Sequence, residues 1–339
     1  MNAKLLVAGA ALTLGMTSVA HAGPTLDAIK SRGSLQCGVN TGLPGFSNPD
    51  SQGNWTGLDV DYCQAYAAAL FGDANKVSYT PLSAQQRFTA LQSGEVDVLA
   101  RNTTHSLQRD TALGLNFAPP NYYDGQGFMV PTALGVTKGS ELDGATVCVQ
   151  PGTTTELNLA DYFRARGMNF QPVVIEAFDE VNAAYFSGRC DVLTTDISGL
   201  AGVRATLAPN PDDHIILPDV VSKEPLAPAV RHGDDQWYDI IKWVHHAMVE
   251  AEEKGVTSEN VDEMLKSTDP TIQRLLGVSG DMGAQLGLDN KWAYNVIKQV
   301  GNYGEVFANN VGMETPLKLE RGQNALWTNG GLQYAAPIR

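Results

Sequence analysis

Residues 95–109 read Glu-Val-Asp-Val-Leu-Ala-Arg-Asn-Thr-Thr-His-Ser-Leu-Gln-Arg, and the residue types change midway. Val96, Val98 and Ala100 alternate with Asp97 and Leu99, the period-two pattern of a packed strand. Small polar residues follow (Asn102, Thr103, Thr104, Ser106), and Arg109 comes one helical turn after the break. Hydroxyls, free backbone N–H groups and a guanidinium at a strand end make a receptor for a carboxylate, because arginine offers a planar fork that matches two oxygens. Open α/β sheets take their ligands beyond the carboxyl ends of strands. The competing reading is a polar loop that caps a helix and leaves its arginine in water.

Other stretches could complete such a site. Gly188-Arg-Cys-Asp-Val-Leu-Thr-Thr-Asp196 echoes Gly94-Glu-Val-Asp97: glycine, aspartate, then a strand that runs into polar residues. Asp196 is either a site carboxylate or the cap of a helix that begins at Ile197. Pro151-Gly-Thr-Thr-Thr-Glu156 places Thr153 and Thr154 at a helix start, where backbone N–H groups attract anions. Arg87 sits on a short helix and is either a ligand contact or a surface charge. His105 stands alone near the first stretch, and His245-His246 fall on a long helix among packing residues. Among these groups no nucleophile, base and orienter form a triplet, which favours binding over catalysis.

The elements that must hold these groups alternate in the α/β manner. Strands are expected at 34–39, 77–81 and 127–131, with helices at 58–71 and 85–92; the strand at 127–131 leads out of the first unit. A second unit has strands at 146–150, 170–174 and 191–196 and helices at 156–166 and 181–187. Segments 215–217 and 227–231 are extended and can carry the chain back. Trp237, Ile240, Ile241, Val244, Met248 and Ala251 form one helical stripe that Gly255 ends. Asp269-Pro270 opens another helix; 290–300 and 303–309 are further helices, and 322–334 is an ordered tail.

Residues 1–22 carry Lys4, an apolar run over 5–19 and Ala20-His-Ala22, a cleavable signal peptide, so export to the periplasm is expected. The formal net charge of −14 argues against nucleic acid or an anionic membrane as partner, since both need clustered cations. Four cysteines suit an oxidising compartment with two disulfides. Three connectivities exist; proximity along the chain gives Cys37–Cys63 and Cys148–Cys190. No spacing supports a metal, and no cofactor is expected.

The chain resembles the periplasmic solute-binding proteins of amino-acid ABC transporters, family 3. The resemblance rests on Gly38-Val39 and Phe46; Trp55-Thr-Gly-Leu-Asp-Val-Asp61; Leu91-Gln-Ser-Gly-Glu-Val-Asp97; Thr104 to Arg109; Phe117, Tyr122-Tyr123 and Gln126; Val149-Gln-Pro-Gly-Thr-Thr154; and Gly188-Arg-Cys-Asp191 with Asp196. Its tail is similar to that of the general and polar amino-acid binders, through Gln273-Arg-Leu-Leu-Gly277, Val300-Gly-Asn-Tyr-Gly304 and Arg321-Gly-Gln-Asn324. The resemblance implies a two-lobed type II periplasmic-binding-protein fold with two hinge strands and a helical C-terminal extension. The expected division is lobe 1 over 23–131, lobe 2 over 132–226, and a return to lobe 1 with the extension over 227–339.

It further implies that Arg109 and Thr104 hold the ligand's α-carboxylate and that Thr153 and Thr154 add helix-end donors. Asp196 and Asn102 take the ammonium, Arg87 reaches a side-chain carboxylate, and Phe46 packs over the ligand. Asn40 stands where many members have aspartate, and Leu43 replaces an aromatic of the cationic-amino-acid binders. These departures favour Glu, Gln, Asp, Asn or a broader polar set. The implied partners are a free L-amino acid and an inner-membrane ABC permease, with the protein a monomer and not an enzyme. The alternatives are a cyclohexadienyl or arogenate dehydratase on the same fold, or a ligand-sensing subunit.

Overall fold

The computed structural model describes residues 23–339; the expected signal peptide, residues 1–22, lies outside them. Helix α1 (Pro24–Arg32) leads into β1 (Leu35–Val39), whose Leu35, Cys37 and Val39 are wholly buried. A small hairpin of β2 (Asn48–Pro49) and β3 (Trp55–Thr56) precedes α2 (Leu58–Phe71). Gly57 joins them at φ +133, and a Cβ there would collide with the Phe46 carbonyl, so only glycine fits this turn. The first pass ends with β4 (Val77–Pro81), α3 (Gln86–Ser93), β5 (Val98–Leu99) and β6 (Leu115–Phe117).

The second pass comprises β7 (Tyr122–Pro131), β8 (Thr146–Val149), α4 (Thr154–Ala165), β9 (Gln171–Val174), α5 (Phe178–Phe186), β10 (Val192–Asp196), α6 (Ile197–Thr206), β11 (His214–Ile216) and β12 (Lys223–Leu226). Then β13 (Ala229–Arg231) returns, followed by α7 (Asp235–Glu253), α8 (Val261–Met264), α9 (Pro270–Leu275), α10 (Met282–Leu286), α11 (Trp292–Gln299) and α12 (Tyr303–Asn310).

Two sheets define two lobes. The first has the order β4-β1-β5-β13-β6, with β1 parallel to β4 and β5 and β13 antiparallel to its neighbours. The second has the order β11-β7-β10-β8-β9, with β12 also paired to β7. The chain crosses between sheets at 118–121 and again at 227–228. All of β7 pairs antiparallel with β10, β11 and β12, so the strand read at 127–131 is the far half of a second-sheet strand. On sheet membership we propose the first lobe boundary at 118–121 rather than 131.

The apolar stripe of α7 is buried as its spacing predicts, and it shares one core with α2, α11 and α12. The helical extension is therefore packed on the first lobe. Pro270 starts its helix with Asp269 accepting from the Thr271 and Ile272 N–H groups. The helix expected at 181–187 starts earlier, at Phe178, and the one expected from 156 starts at Thr154, where Thr153 supplies the cap. Pairing confines β5 to two residues, although the Asp97 and Ala100 N–H groups still donate to the β1 carbonyls of Gln36 and Gly38.

The disulfides are Cys37–Cys63, tying β1 to α2, and Cys148–Cys190, tying β8 to the turn before β10. Each staples one lobe. Cross-linking a chain at separations of 26 and 42 residues removes unfolded-state entropy worth about 3.5–4 kcal/mol in the loop-closure account. Replacing Cys148 and Cys190 together by serine is expected to lower the unfolding free energy by about that amount, read from the urea midpoint. A midpoint equal to that of the parent protein would contradict it.

Candidate functional site

The carboxyl ends of β5 and β10 face each other between the lobes. Past β5, Asn102 adopts φ +35, a left-handed conformation that asparagine tolerates better than most residues. It is fixed there on three sides. Its N–H donates to Asp59 Oδ2 at 2.7 Å, and its Oδ1 accepts from Asn40 Nδ2 at 3.0 Å and Arg101 Nη1 at 3.3 Å. Its Nδ2 donates to Asp196 Oδ2 at 3.3 Å, across the gap between the lobes. Asp196 stands at the N-cap position of α6, yet its side chain makes no capping hydrogen bond. The capping reading of Asp196 is thereby replaced: the carboxylate faces the cleft.

The loop after Asn102 is laced onto the hinge strand β12. The His105 N–H donates to the Pro225 carbonyl at 2.8 Å and the Ala227 N–H to the Thr103 carbonyl at 2.9 Å. This lacing points Thr104 at Glu224, a buried carboxylate that the sequence reading missed. Glu224 Oε2 accepts from Thr104 Oγ1 at 2.6 Å and from Thr154 Oγ1 at 2.8 Å, while Oε1 accepts from Asn158 and Ser222. One carboxylate thus gathers hydroxyls from both lobes. Thr153 caps α4, its oxygen accepting from the Glu156 N–H at 3.1 Å.

Three guanidiniums are buried here: Arg87 on α3, Arg101 beside Asn102, and Arg109 in a π-helical turn. Among the described residues none of the three has a carboxylate oxygen within 4.0 Å. Arg109 Nη1 donates to the Thr104 carbonyl at 2.9 Å, and Arg101 Nε to the Leu82 carbonyl at 2.9 Å. Among the described residues the Arg87 side chain makes one hydrogen bond, a long one of 3.5 Å from Nη1 to Thr103 Oγ1; its guanidinium lies 4.8 Å from the Phe88 ring centre, and its buried Nε has no hydrogen-bond partner. Loss of hydration disfavours a buried cation. Accordingly burial lowers Arg101 and Arg109 to about 10, and Arg87, which also feels the other two, falls well below its ordinary value.

The acids of the cleft shift the other way. Burial, then the charges of Asp124 and Glu224, pushes Asp196 well above the carboxylate range. Asp124, whose carboxylate accepts from Ser198, and Asp59 are each pushed up to about 6 by burial. An ammonium beside Asp196 and carboxylates beside the arginines would each relieve a buried, incompletely neutralised charge.

A narrow inner cavity, with about 20 Å³ of free space as the lobes stand, is lined by Arg87, Asn102, Thr104, Thr153, Thr154 and Asp196, together with Arg101, Gln150, Thr155 and Thr195. Arg109 lines a wider outer cavity that shares Thr153 and Thr154 with the inner one and includes Phe88, Leu107 and Leu157. Two expected contacts lie elsewhere. Phe46 is in the first-lobe core, edge-on to Tyr122 with ring centres 5.3 Å apart, and Asn40 supports Asn102. His105 stacks on Phe117 and bonds Asp110 at 3.2 Å. Arg101 carried a readable signal, a charge directly after the apolar run. Glu224 carried none, because only the β12 pairing brings it to the cleft.

Among the described residues no helix is long and apolar enough to cross a membrane, and no group of three or more His, Cys, Asp or Glu side chains could hold a metal. The whole chain is 59% identical over 342 residues to the General L-amino acid-binding periplasmic protein AapJ of Rhizobium johnstonii, with all of both chains covered. It is 55% identical to the Glutamate/glutamine/aspartate/asparagine-binding protein BztA of Rhodobacter capsulatus, over 98% of this chain and 97% of the relative. In structure it is similar to an ABC transporter periplasmic binding protein from Brucella ovis with glutathione bound. That match has a TM-score of 0.92 and 57% identity, over 94% of this chain and 100% of the other. With residues 35–263 matching the family throughout both lobes, the chain belongs to the bacterial extracellular solute-binding proteins, family 3.

Proposed function

We propose that this protein is the periplasmic solute-binding component of an ABC transporter, a monomer and not an enzyme, that captures polar L-amino acids and delivers them to an inner-membrane permease. The observation that carries the reading is the set of three buried guanidiniums without carboxylate partners, facing Asp196 of the opposite lobe. In this arrangement Arg109 and the first-turn N–H groups of α4 take the α-carboxylate, and Asp196 with Asn102 takes the ammonium. Arg87 and Arg101 take a second carboxylate or an amide oxygen. Glutamate, glutamine, aspartate and asparagine satisfy that geometry. The BztA relative is named for the same four ligands.

Lobe closure is the mechanism: a ligand whose charges bridge the lobes binds the closed form better and shifts the population towards it. The outer cavity favours a second ligand class that extends beyond one amino acid, as glutathione does in the Brucella relative. Calorimetric titration with the twenty L-amino acids and glutathione tests both. Saturable one-to-one binding led by the acidic and amide amino acids is expected, with glutathione as the longer candidate. No heat from any of them would remove the receptor reading, and turnover of prephenate or arogenate would replace it with the dehydratase.

A further inference from the structure

The family match ends at residue 263, and the chain beyond it folds onto the first lobe and reaches the crossing between the lobes. Leu326, Ala335 and Ile338 are buried in the same core as α2 and α7. Arg321 makes a two-pronged ion pair with Glu252 of α7 at 3.0 and 3.1 Å, and its guanidinium lies 5.1 and 5.0 Å from the ring centres of Tyr303 and Phe307. From this anchored base three side chains reach the backbone of 120–123. Gln333 Nε2 donates to the Pro120 carbonyl at 3.1 Å, and the Tyr303 hydroxyl donates to the Asn121 carbonyl at 3.0 Å. Asn324 accepts from the Tyr123 N–H at 2.6 Å and donates to the Tyr123 carbonyl at 3.1 Å.

The same segment connects to the cleft. Asn121 Nδ2 donates to Asp59 Oδ1 at 3.1 Å, and the other oxygen of Asp59 holds the Asn102 N–H. Asn102 in turn meets Asp196 of the second lobe. An unbroken run of hydrogen bonds therefore leads from the extension to the site.

We propose that the C-terminal extension is a clamp on the hinge that favours the closed form, with Asn324 as its principal positioning residue. Tyr123 belongs to β7 and moves with the second sheet, whereas Asn324 is fixed to the first lobe. Rotation of the lobes about 118–121 draws the two apart and breaks both bonds. An interaction present in one state and absent in the other shifts the equilibrium by its full differential free energy. The extension thus regulates binding without touching ligand. The ligand side of this proposal rests on the receptor reading above; the hinge side does not.

Asn324→Ala and Gln333→Ala are the test variants, with small-angle scattering of the ligand-free protein and glutamate titration as readouts. Asn324→Ala is expected to increase the radius of gyration without ligand and to weaken glutamate binding roughly tenfold, the weight of one good hydrogen bond. The order of preference among ligands stays the same. Gln333→Ala shifts both readouts in the same direction by less, and decides the matter alone if Asn324→Ala does not fold. Unchanged scattering in the folded variants, a shift towards a more compact form, or a reordered ligand preference overturns the clamp. If the parent protein binds no amino acid, the receptor reading fails while scattering still decides the clamp.

Discussion

Replacing Arg109 by alanine is expected to weaken glutamate and glutamine binding at least about a hundredfold, enough to erase the calorimetric signal. A charge-assisted, two-pronged bond to a carboxylate contributes roughly 3 kcal/mol where water is excluded, and every α-amino acid presents that carboxylate. The guanidinium is buried, lines the cavity beside the start of α4, and has only the Thr104 carbonyl as a strong partner. Its position is set by the lacing of 103–105 onto β12, not by Arg109 itself, so the alanine variant keeps the loop in place. Arg109→Lys separates charge from shape: one ammonium cannot match two oxygens, so that variant should regain only part of the loss. Near-parental titration of the alanine variant, with an unchanged circular dichroism spectrum, would place the α-carboxylate elsewhere.

Why Arg109 could be singled out from sequence, and Glu224 could not, follows from how each is positioned. The Arg109 signal is local: a strand, a break into small polar residues and a cation one turn later all lie within 95–109. Asp196 and Thr154 are local in the same sense, each at an element end that its own neighbours define. Glu224 reaches the cleft only because β12 pairs with β7 and receives the 103–105 loop, contacts that join residues about a hundred positions apart. Asp59 shows the limit from the other side. In the sequence it is a first-turn helix acid, yet it is buried and clasps both Asn102 and Asn121. Phe46 is the converse: the family resemblance implied a ligand wall, and the side chain packs in the core against Tyr122. Alternation, capping and the long apolar stripe sufficed for the α/β elements because those patterns are short-range, whereas the two-lobed arrangement was what the family resemblance implied. The polar supports of the site are long-range and had to be seen.

Arg87→Met is expected to move stability and binding in opposite directions. In the ligand-free protein the Arg87 guanidinium is buried, its Nε has no partner, and Arg101 and Arg109 repel it. Removing an uncompensated buried charge in favour of an apolar side chain of similar length relieves roughly 1–3 kcal/mol. The melting temperature without ligand should therefore rise by a few degrees, on the order of 1.5 °C per kcal/mol for a chain of this size. The same change strips the inner cavity of the group placed to meet a second carboxylate. Glutamate and aspartate should lose about a hundredfold in affinity, whereas glutamine and asparagine, which present a neutral amide there, should lose about tenfold or less. The two ligand classes then separate by a factor that the parent protein does not show. Equal losses for glutamate and glutamine would remove Arg87 from the side-chain end of the site, and a lower melting temperature without ligand would mean that its charge is already compensated inside the fold.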